Sequence, residues 1–170
     1  MTEAGFCLGS NLGDRLALLQ AARDQLAATP GARLLAQSAV YETDPVGVKP
    51  QYAHLKYLNA VVILEANLTA ADWLRRAQTI ETELGRVRTD DRYAPRTMDI
   101  DLLYRGMDSI EDGGIVVPHP RWWQRRFVLR PLCDVRPELR LPGCALSVQE
   151  HWERLAHTRG EEVRLFTARW

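Results

Sequence analysis

Stretches of period-two and period-3.6 hydrophobicity follow one another in this chain in the order strand, helix, strand, strand, helix, strand, and few topologies accept that order. Residues 4–9, AGFCLG, make the first strand, closed by the turn-forming GSNLGD. From Arg15 to Thr29, Leu16, Leu19, Ala22 and Leu26 share one face of a helix that Pro30-Gly31 stops. RLLAQSAVYE has strand character, and the following 43–56, broken by Pro45, Gly47 and Pro50, is a long loop. YLNAVVILEA is a β-branched strand, and Thr69 with Asp72 forms a capping box for a helix through Leu84, stopped by Gly85. A basic loop then leads into TMDIDLLY, the closing strand. The spacing predicts an α+β fold with a ferredoxin-like βαββαβ core. Its mostly antiparallel sheet carries both helices on one face, and the other face is left for a ligand, walled by the long loop and the C-terminal third. A C-terminal extension follows, with a helix from Ser147 to His157 and EEVRLFTARW as either a short strand or a loose end.

A chain of 170 residues is expected to fold as one domain, 1–170, with a sizeable core. Its formal net charge of zero gives it no overall pull toward nucleic acid or anionic membrane. No apolar run approaches the roughly 20 residues that cross a bilayer. The N-terminus lacks the features of a signal peptide. Cys7, Cys133 and Cys144 are odd in number and widely spaced, so they suggest reduced thiols and a cytoplasmic protein.

Chemistry concentrates in YAPRTMDIDLLY. Strand alternation puts Thr97, Asp99, Asp101 and Leu103 on one face and Met98, Ile100, Leu102 and Tyr104 on the other. Carbon bases about 6–7 Å apart set two like charges side by side, which needs a cation between them. Hard oxygen donors suit Mg²⁺, and the same pair fits two metals. By itself such a pair is common on solvated edge strands. Here Arg86, Arg88, Arg92 and Arg96 precede it, diluted by Asp90 and Asp91, and Arg121, Arg125, Arg126 and Arg130 follow without an acidic residue among them. Guanidinium groups bind phosphate oxygens in pairs, so carboxylates between arginine clusters suggest a polyphosphate seat. It is not a P-loop, because Gly9 to Gly13 lacks the lysine of G-x-x-x-x-G-K-S/T. His119 between prolines could meet a phosphate, Glu81 lies beside an apolar helix stripe, Asn59 interrupts an apolar strand, and Tyr57 and Phe127 could stack on a flat ring.

With those residues in view, the chain resembles the 6-hydroxymethyl-7,8-dihydropterin pyrophosphokinases of folate biosynthesis. The resemblance rests on LGSNLGDR, YETDPVG, YLNAVV, IETELGRVR, RYAPRTMDIDLLY, VPHPR and RRFVLRPLCDV, in that order. It implies Mg²⁺-dependent transfer of pyrophosphate from ATP to the pterin hydroxymethyl oxygen, leaving AMP. Asp99 and Asp101 would hold two Mg²⁺, and Arg86 and Arg96 would join them in catalysis. Thr43, Asn59 and the backbone around Asp44 and Val46 would hydrogen-bond the pterin, with Tyr57 and Phe127 against its ring. Gln78, Glu81, Arg88, Arg92, Tyr93, Leu102, His119 and Arg125 would line the nucleotide site or its moving loop. The partners implied are ATP and the pterin, with no nucleic acid and no membrane, and a monomer is expected. Loops 43–56 and 86–95 are expected to act as lids. Two rivals stand beside this reading. An RNA-binding sheet would need exposed aromatics and a basic total, and a D-x-D nucleotide-sugar transferase would bind a sugar nucleotide instead of a pterin.

Overall fold

The computed structural model describes residues 1–87, 90–91, 94–158 and 160–170. Along the chain run β1 (Thr2–Ser10), α1 (Arg15–Ala27), β2 (Arg33–Gln37), β3 (Val40–Thr43), β4 (Tyr57–Ala66), α2 (Ala70–Glu83) and β5 (Asp99–Arg105). A hairpin of β6 (Ile110–Asp112) and β7 (Ile115–Val117) follows, then α3 (Arg126–Val135), α4 (Val148–Ala156) and β8 (Val163–Thr167). The main sheet has the order β5-β1-β4-β3-β8, with β2 beside β3 on the same edge of β4, and its pairings are antiparallel.

Local signals explain most boundaries. Asp14 caps α1 by accepting from the Ala17 N–H at 3.1 Å. Thr69 and Asp72 satisfy each other's backbone N–H groups, the capping box expected for α2. Ser147 and Glu150 repeat the device at α4. The expected single strand RLLAQSAVYE is instead split into β2 and β3. Ser38 causes the break: its hydroxyl accepts from the Val61 N–H at 2.8 Å and donates to the Ala39 carbonyl at 2.6 Å. The terminal EEVRLFTARW resolves to a strand, β8, on the free edge of β3.

The two sheet faces bury different cores. Ala4, Phe6 and Leu8 of β1, alternate residues of β4 and Ile100 and Leu102 of β5 pack on α1 and α2, with Phe6 edge-on to Trp73 at 5.0 Å. The opposite face was expected to stay open, but α3 and α4 cover much of it. Val61, Ile63, Leu103 and Tyr104 pack there against Val128, Leu129, Leu132 and Val148. Pro131 inside α3 masks the helical pattern in sequence, since a proline removes a helix hydrogen bond. Burial of Val128, Leu129 and Leu132 offsets that cost. The cleft lies at the end of the sheet near Gly9, Asn59 and Asp99.

Tyr104 departs from the expected alternation. The register slips between Gly5 and Phe6, so Gly5 faces Tyr104 while Phe6 faces Leu102. Leu103 and Tyr104 therefore both enter the second core. Tyr104 lies across Gly5, where an added Cβ would fall 2.3 Å from its Cε1. Gly5→Ala is expected to destabilise the protein by about 1–3 kcal/mol, seen as a lower urea midpoint.

Candidate active site

Antiparallel register assembles the floor of the site from three strands. Asp99 on β5 lies opposite Gly9 on β1, and Gly9 lies opposite Asn59 on β4. One row deeper, Asp101 lies opposite Cys7 and Cys7 opposite Val61. On the far side Thr43 of β3 faces Tyr57 of β4. A cleft of about 750 Å³ opens above these rows. Gly9 keeps its floor low, since a Cβ there would meet Asn59 Oδ1 at 3.1 Å.

The cleft gathers Thr43, Asp44, Val46, Tyr57, Asn59, Arg86, Arg96, Asp99, Asp101, His119, Arg125 and Phe127, all singled out from sequence. Glu81 stands just behind it, buried at 4% exposure. Two expected residues are placed elsewhere. Leu102 points its side chain into the core beneath α1 and α2, on the face opposite the aspartates, because it alternates with them on β5. Gln78 is exposed on α2 and does not line the cleft. Arg88, Arg92 and Tyr93 lie outside the described residues.

The carboxylates meet guanidinium groups directly. Arg86 Nη1 bridges Glu81 and Asp99, lying 2.6 Å from Asp99 Oδ1. Arg96 approaches Asp99 Oδ2 at 3.3 Å, and Arg125 lies 3.7 Å from Asp101 Oδ2. Glu81 Oε1 also accepts from the Ile100 N–H at 2.8 Å, which fixes β5 to the end of α2. Asp101 titrates at about 6: burial raises it, the Asp99 charge adds to the rise, and Arg125 only partly opposes them. Asn11 anchors the approach to β5, its Oδ1 accepting from the Arg96 N–H at 2.8 Å and its own N–H donating to the Arg96 carbonyl.

His119 follows β7, and its N–H donates to the Leu103 carbonyl at 2.8 Å. Its Nδ1 accepts from the Arg121 N–H at 3.1 Å, so the neutral ring carries its proton on Nε2. Burial and the neighbouring Arg125 and Arg121 charges lower its pKa to about 4. The ring is thus a neutral donor near pH 7. A proton NMR titration of the ligand-free protein should place the His119 midpoint well below the ordinary histidine value, near 4.

At the other end, Asn59 Nδ2 donates to Thr43 Oγ1 at 2.8 Å, both groups buried. Lys49 reaches Asp91 at 2.6 Å, so the two loops expected to act as lids touch each other. The second arginine cluster is divided by its helix. Arg121 and Arg125 line the cleft, Arg126 turns toward the C-terminal segment, and Arg130 pairs with Asp134 at 2.8 Å and lies over Tyr41. Sequence reasoning did not single out Gln124, Cys7 or Glu161 as cleft-lining residues. Gln124 had a signal in its nearness to His119 and Arg125, whereas Glu161 arrives only through the pairing of β8.

Residues 6–137 match the family model described as 7,8-dihydro-6-hydroxymethylpterin-pyrophosphokinase. A 2-amino-4-hydroxy-6-hydroxymethyldihydropteridine pyrophosphokinase of Methylorubrum extorquens is 43% identical over 143 residues, covering 84% of this chain and 88% of that one. A protein of the same name from Pseudomonas aeruginosa is 43% identical over 135 residues, covering 79% of this chain and 81% of that one. Among solved structures, an HPPK-DHPS in complex with substrates superposes with a TM-score of 0.71 at 11% identity, covering 90% of this chain. Wild-type HPPK-DHPS of Plasmodium falciparum gives 0.68 at 13% identity, also covering 90% of this chain. The chain spans 43% and 44% of those two longer chains, and the likeness to them is one of fold. On the sequence match across its cleft-forming strands, the chain belongs to the 7,8-dihydro-6-hydroxymethylpterin-pyrophosphokinase family.

Proposed function

We propose that this cleft transfers a pyrophosphoryl group from ATP to the hydroxymethyl oxygen of 6-hydroxymethyl-7,8-dihydropterin, releasing AMP, in a Mg²⁺-dependent step of folate synthesis. One observation carries the reading: Asp99 and Asp101 sit side by side among Arg86, Arg96 and Arg125, in the same cleft as the buried Thr43–Asn59 pair.

The donor set fits a magnesium ion brought in with a nucleotide. Both carboxylates supply hard oxygens, and the raised pKa of Asp101 marks a pair whose charge the arginines leave under-compensated. Among the described residues no group of three His, Cys, Asp or Glu side chains could hold a metal by itself. Mg²⁺ typically takes one or two carboxylates and completes its shell with water and substrate phosphates. Asp99 and Asp101 would hold it, two ions being the expectation, and when bound it would neutralise polyphosphate charge and acidify the accepting hydroxyl.

The side chains around that pair bind and orient. Arg86 and Arg96, engaged with Asp99 in the free protein, are placed to exchange that carboxylate for phosphate oxygens. Arg121 and Arg125 line the same wall and counter the charge that grows on departing AMP. His119 donates from Nε2 and cannot serve as the base for the hydroxyl proton, because Nδ1 is already occupied. Thr43 and Asn59 offer hydrogen bonds to the pterin edge, while Tyr57 and Phe127 supply ring faces. Closure of the loops linked by Lys49 and Asp91 would exclude water, in keeping with catalysis by positioning.

The chain is proposed to act as a single, monomeric domain in the cytoplasm, which suits its free cysteines. No helix among the described residues is long and apolar enough to cross a membrane. Mixing the protein with ATP, Mg²⁺ and the reduced hydroxymethylpterin should yield AMP only when all are present. Release of ADP, or AMP release indifferent to pterin, would overturn the reading.

A further inference from the structure

Arg126 lies between two cleft residues, Arg125 and Phe127, but its guanidinium turns away from the cleft. It donates to the carbonyl oxygens of Leu155 at 2.5 Å, Thr158, and Glu161 at 3.3 Å, and to Thr158 Oγ1 at 3.2 Å. Its backbone N–H donates to Glu161 Oε1 at 3.2 Å. One side chain thus ties the end of α4 and the approach to β8 onto the first turn of α3.

The far end of the same segment is fastened separately. β8 runs along β3 with Val163 opposite Thr43 and Thr167 opposite Val40. Trp170 then lodges at the break between β2 and β3, where its Nε1 donates to the Ser38 carbonyl at 2.7 Å. Arg23 lies over the indole at 4.9 Å, and Arg23 and Gln37 both donate to the Trp170 main-chain oxygen. Between these two fastenings Glu161 lines the cleft, with Oε2 unpartnered among the described residues. This segment lies beyond the family match, which ends at residue 137.

We propose that residues 160–170 form a strap that shapes the pterin end of the cleft, and that Glu161 is a pterin-positioning residue. The assignment rests on the reading that this end of the cleft takes the pterin. A pterin presents amino and ring N–H donors along one edge, and a cleft carboxylate two residues from the Val163–Thr43 pair and held by the Arg126 N–H is a matching acceptor. Trp170 acts at a distance, by holding β8 in the register that delivers Glu161.

Steady-state kinetics and calorimetric pterin binding on full-length Glu161→Gln, Trp170→Ala and the double variant test this. Glu161→Gln should weaken pterin binding and raise its KM by about 3- to 10-fold, with kcat and the ATP KM nearly unchanged. Trp170→Ala should move the same parameter in the same direction, and the double variant should be no worse than the more severe single one. Unchanged pterin affinity in Glu161→Gln, an equal loss of ATP affinity, or additive effects in the double variant would overturn the strap. If Trp170→Ala fails to fold, Glu161→Gln alone decides. A wild-type chain that binds pterin without releasing AMP would sink the activity but leave the strap standing. Wild-type turnover with an indifferent Glu161→Gln would do the reverse.

Discussion

Asp101→Asn is expected to lower AMP formation by at least about 10³-fold while making the metal-free protein more stable at pH 7.5. The two effects have one cause. Asp101 shares its strand face with Asp99, and the Arg125 guanidinium at 3.7 Å, with a smaller contribution from Arg86, opposes their combined charge incompletely. Its folded-state pKa of about 6 lies above the ordinary value of 3.8. Well below pH 3.8 the carboxyl is protonated folded or unfolded, so it carries no penalty. Between about pH 4 and pH 6 the unfolded chain has given up the proton while the folded one still holds it, so stability falls as pH rises and levels off above about 6. An amide removes the penalty, a gain of about 1–2 kcal/mol once partial solvent screening is allowed for. Thermal melts in a chelator should therefore show the wild type losing stability between about pH 4 and pH 7 relative to Asp101→Asn. Asp99→Ala should lose nearly as much activity, without the stability gain, because Arg86 and Arg96 already pair with that carboxylate. Full AMP production by both variants would remove any role for the pair.

Arg86→Ala is expected to damage stability and turnover together, and a second substitution separates the two. Arg86 joins Asp99 to Glu81, whose carboxylate is buried and also accepts the Ile100 N–H. Without the guanidinium, the buried Glu81 carboxylate loses the ion pair that Arg86 gives it, at a cost of about 3 kcal/mol. Turnover should fall about 100-fold, since one phosphate-facing cation is gone. Glu81→Gln added to Arg86→Ala removes the buried charge and keeps an acceptor for Ile100. The double variant should regain most of the lost stability, measured by urea unfolding, and none of the lost kcat. Recovery of activity along with stability would mean that Arg86 acts only as a structural tie.

Local chemistry made most of this fold legible. β4 matched its expected bounds because YLNAVVILEA is apolar and β-branched from end to end. The aspartate face of β5 followed from alternation alone. What sequence concealed depended on distant partners. The break at Ser38 exists because Val61, on another strand, presents an N–H to its hydroxyl. Tyr104 changes face because β5 carries an extra residue, Leu103, opposite the Gly5–Phe6 step of β1. Helix α3 hid behind Pro131, and β8 has no meaning without the edge of β3.

The site divides along the same line. Asp99, Asp101 and Arg96 are near neighbours on the chain, so spacing alone brought them together. Glu81 and Arg86 are joined across the end of a helix, a turn that Gly85 announced. Leu102, carried over from the family resemblance, falls in the core because its own alternation with the aspartates forbids a side-chain contact in the cleft. Arg126 and Arg130 looked equivalent to Arg121 and Arg125 in sequence, but α3 begins only at Arg126, so Arg121 and Arg125 stay in the segment lining the cleft while the helix carries Arg126 and Arg130 away from it.

Whether paired acids on β5 grip a divalent ion is best tested by electron paramagnetic resonance with Mn²⁺ in place of Mg²⁺. The free-ion signal should persist with protein alone and collapse on adding a non-hydrolysable ATP analogue, because two carboxylates need phosphate oxygens to complete the shell. Asp99→Asn/Asp101→Asn should bind no more Mn²⁺ than the analogue does by itself. Protein-dependent quenching that survives in that double variant would place the ion elsewhere and contradict the account.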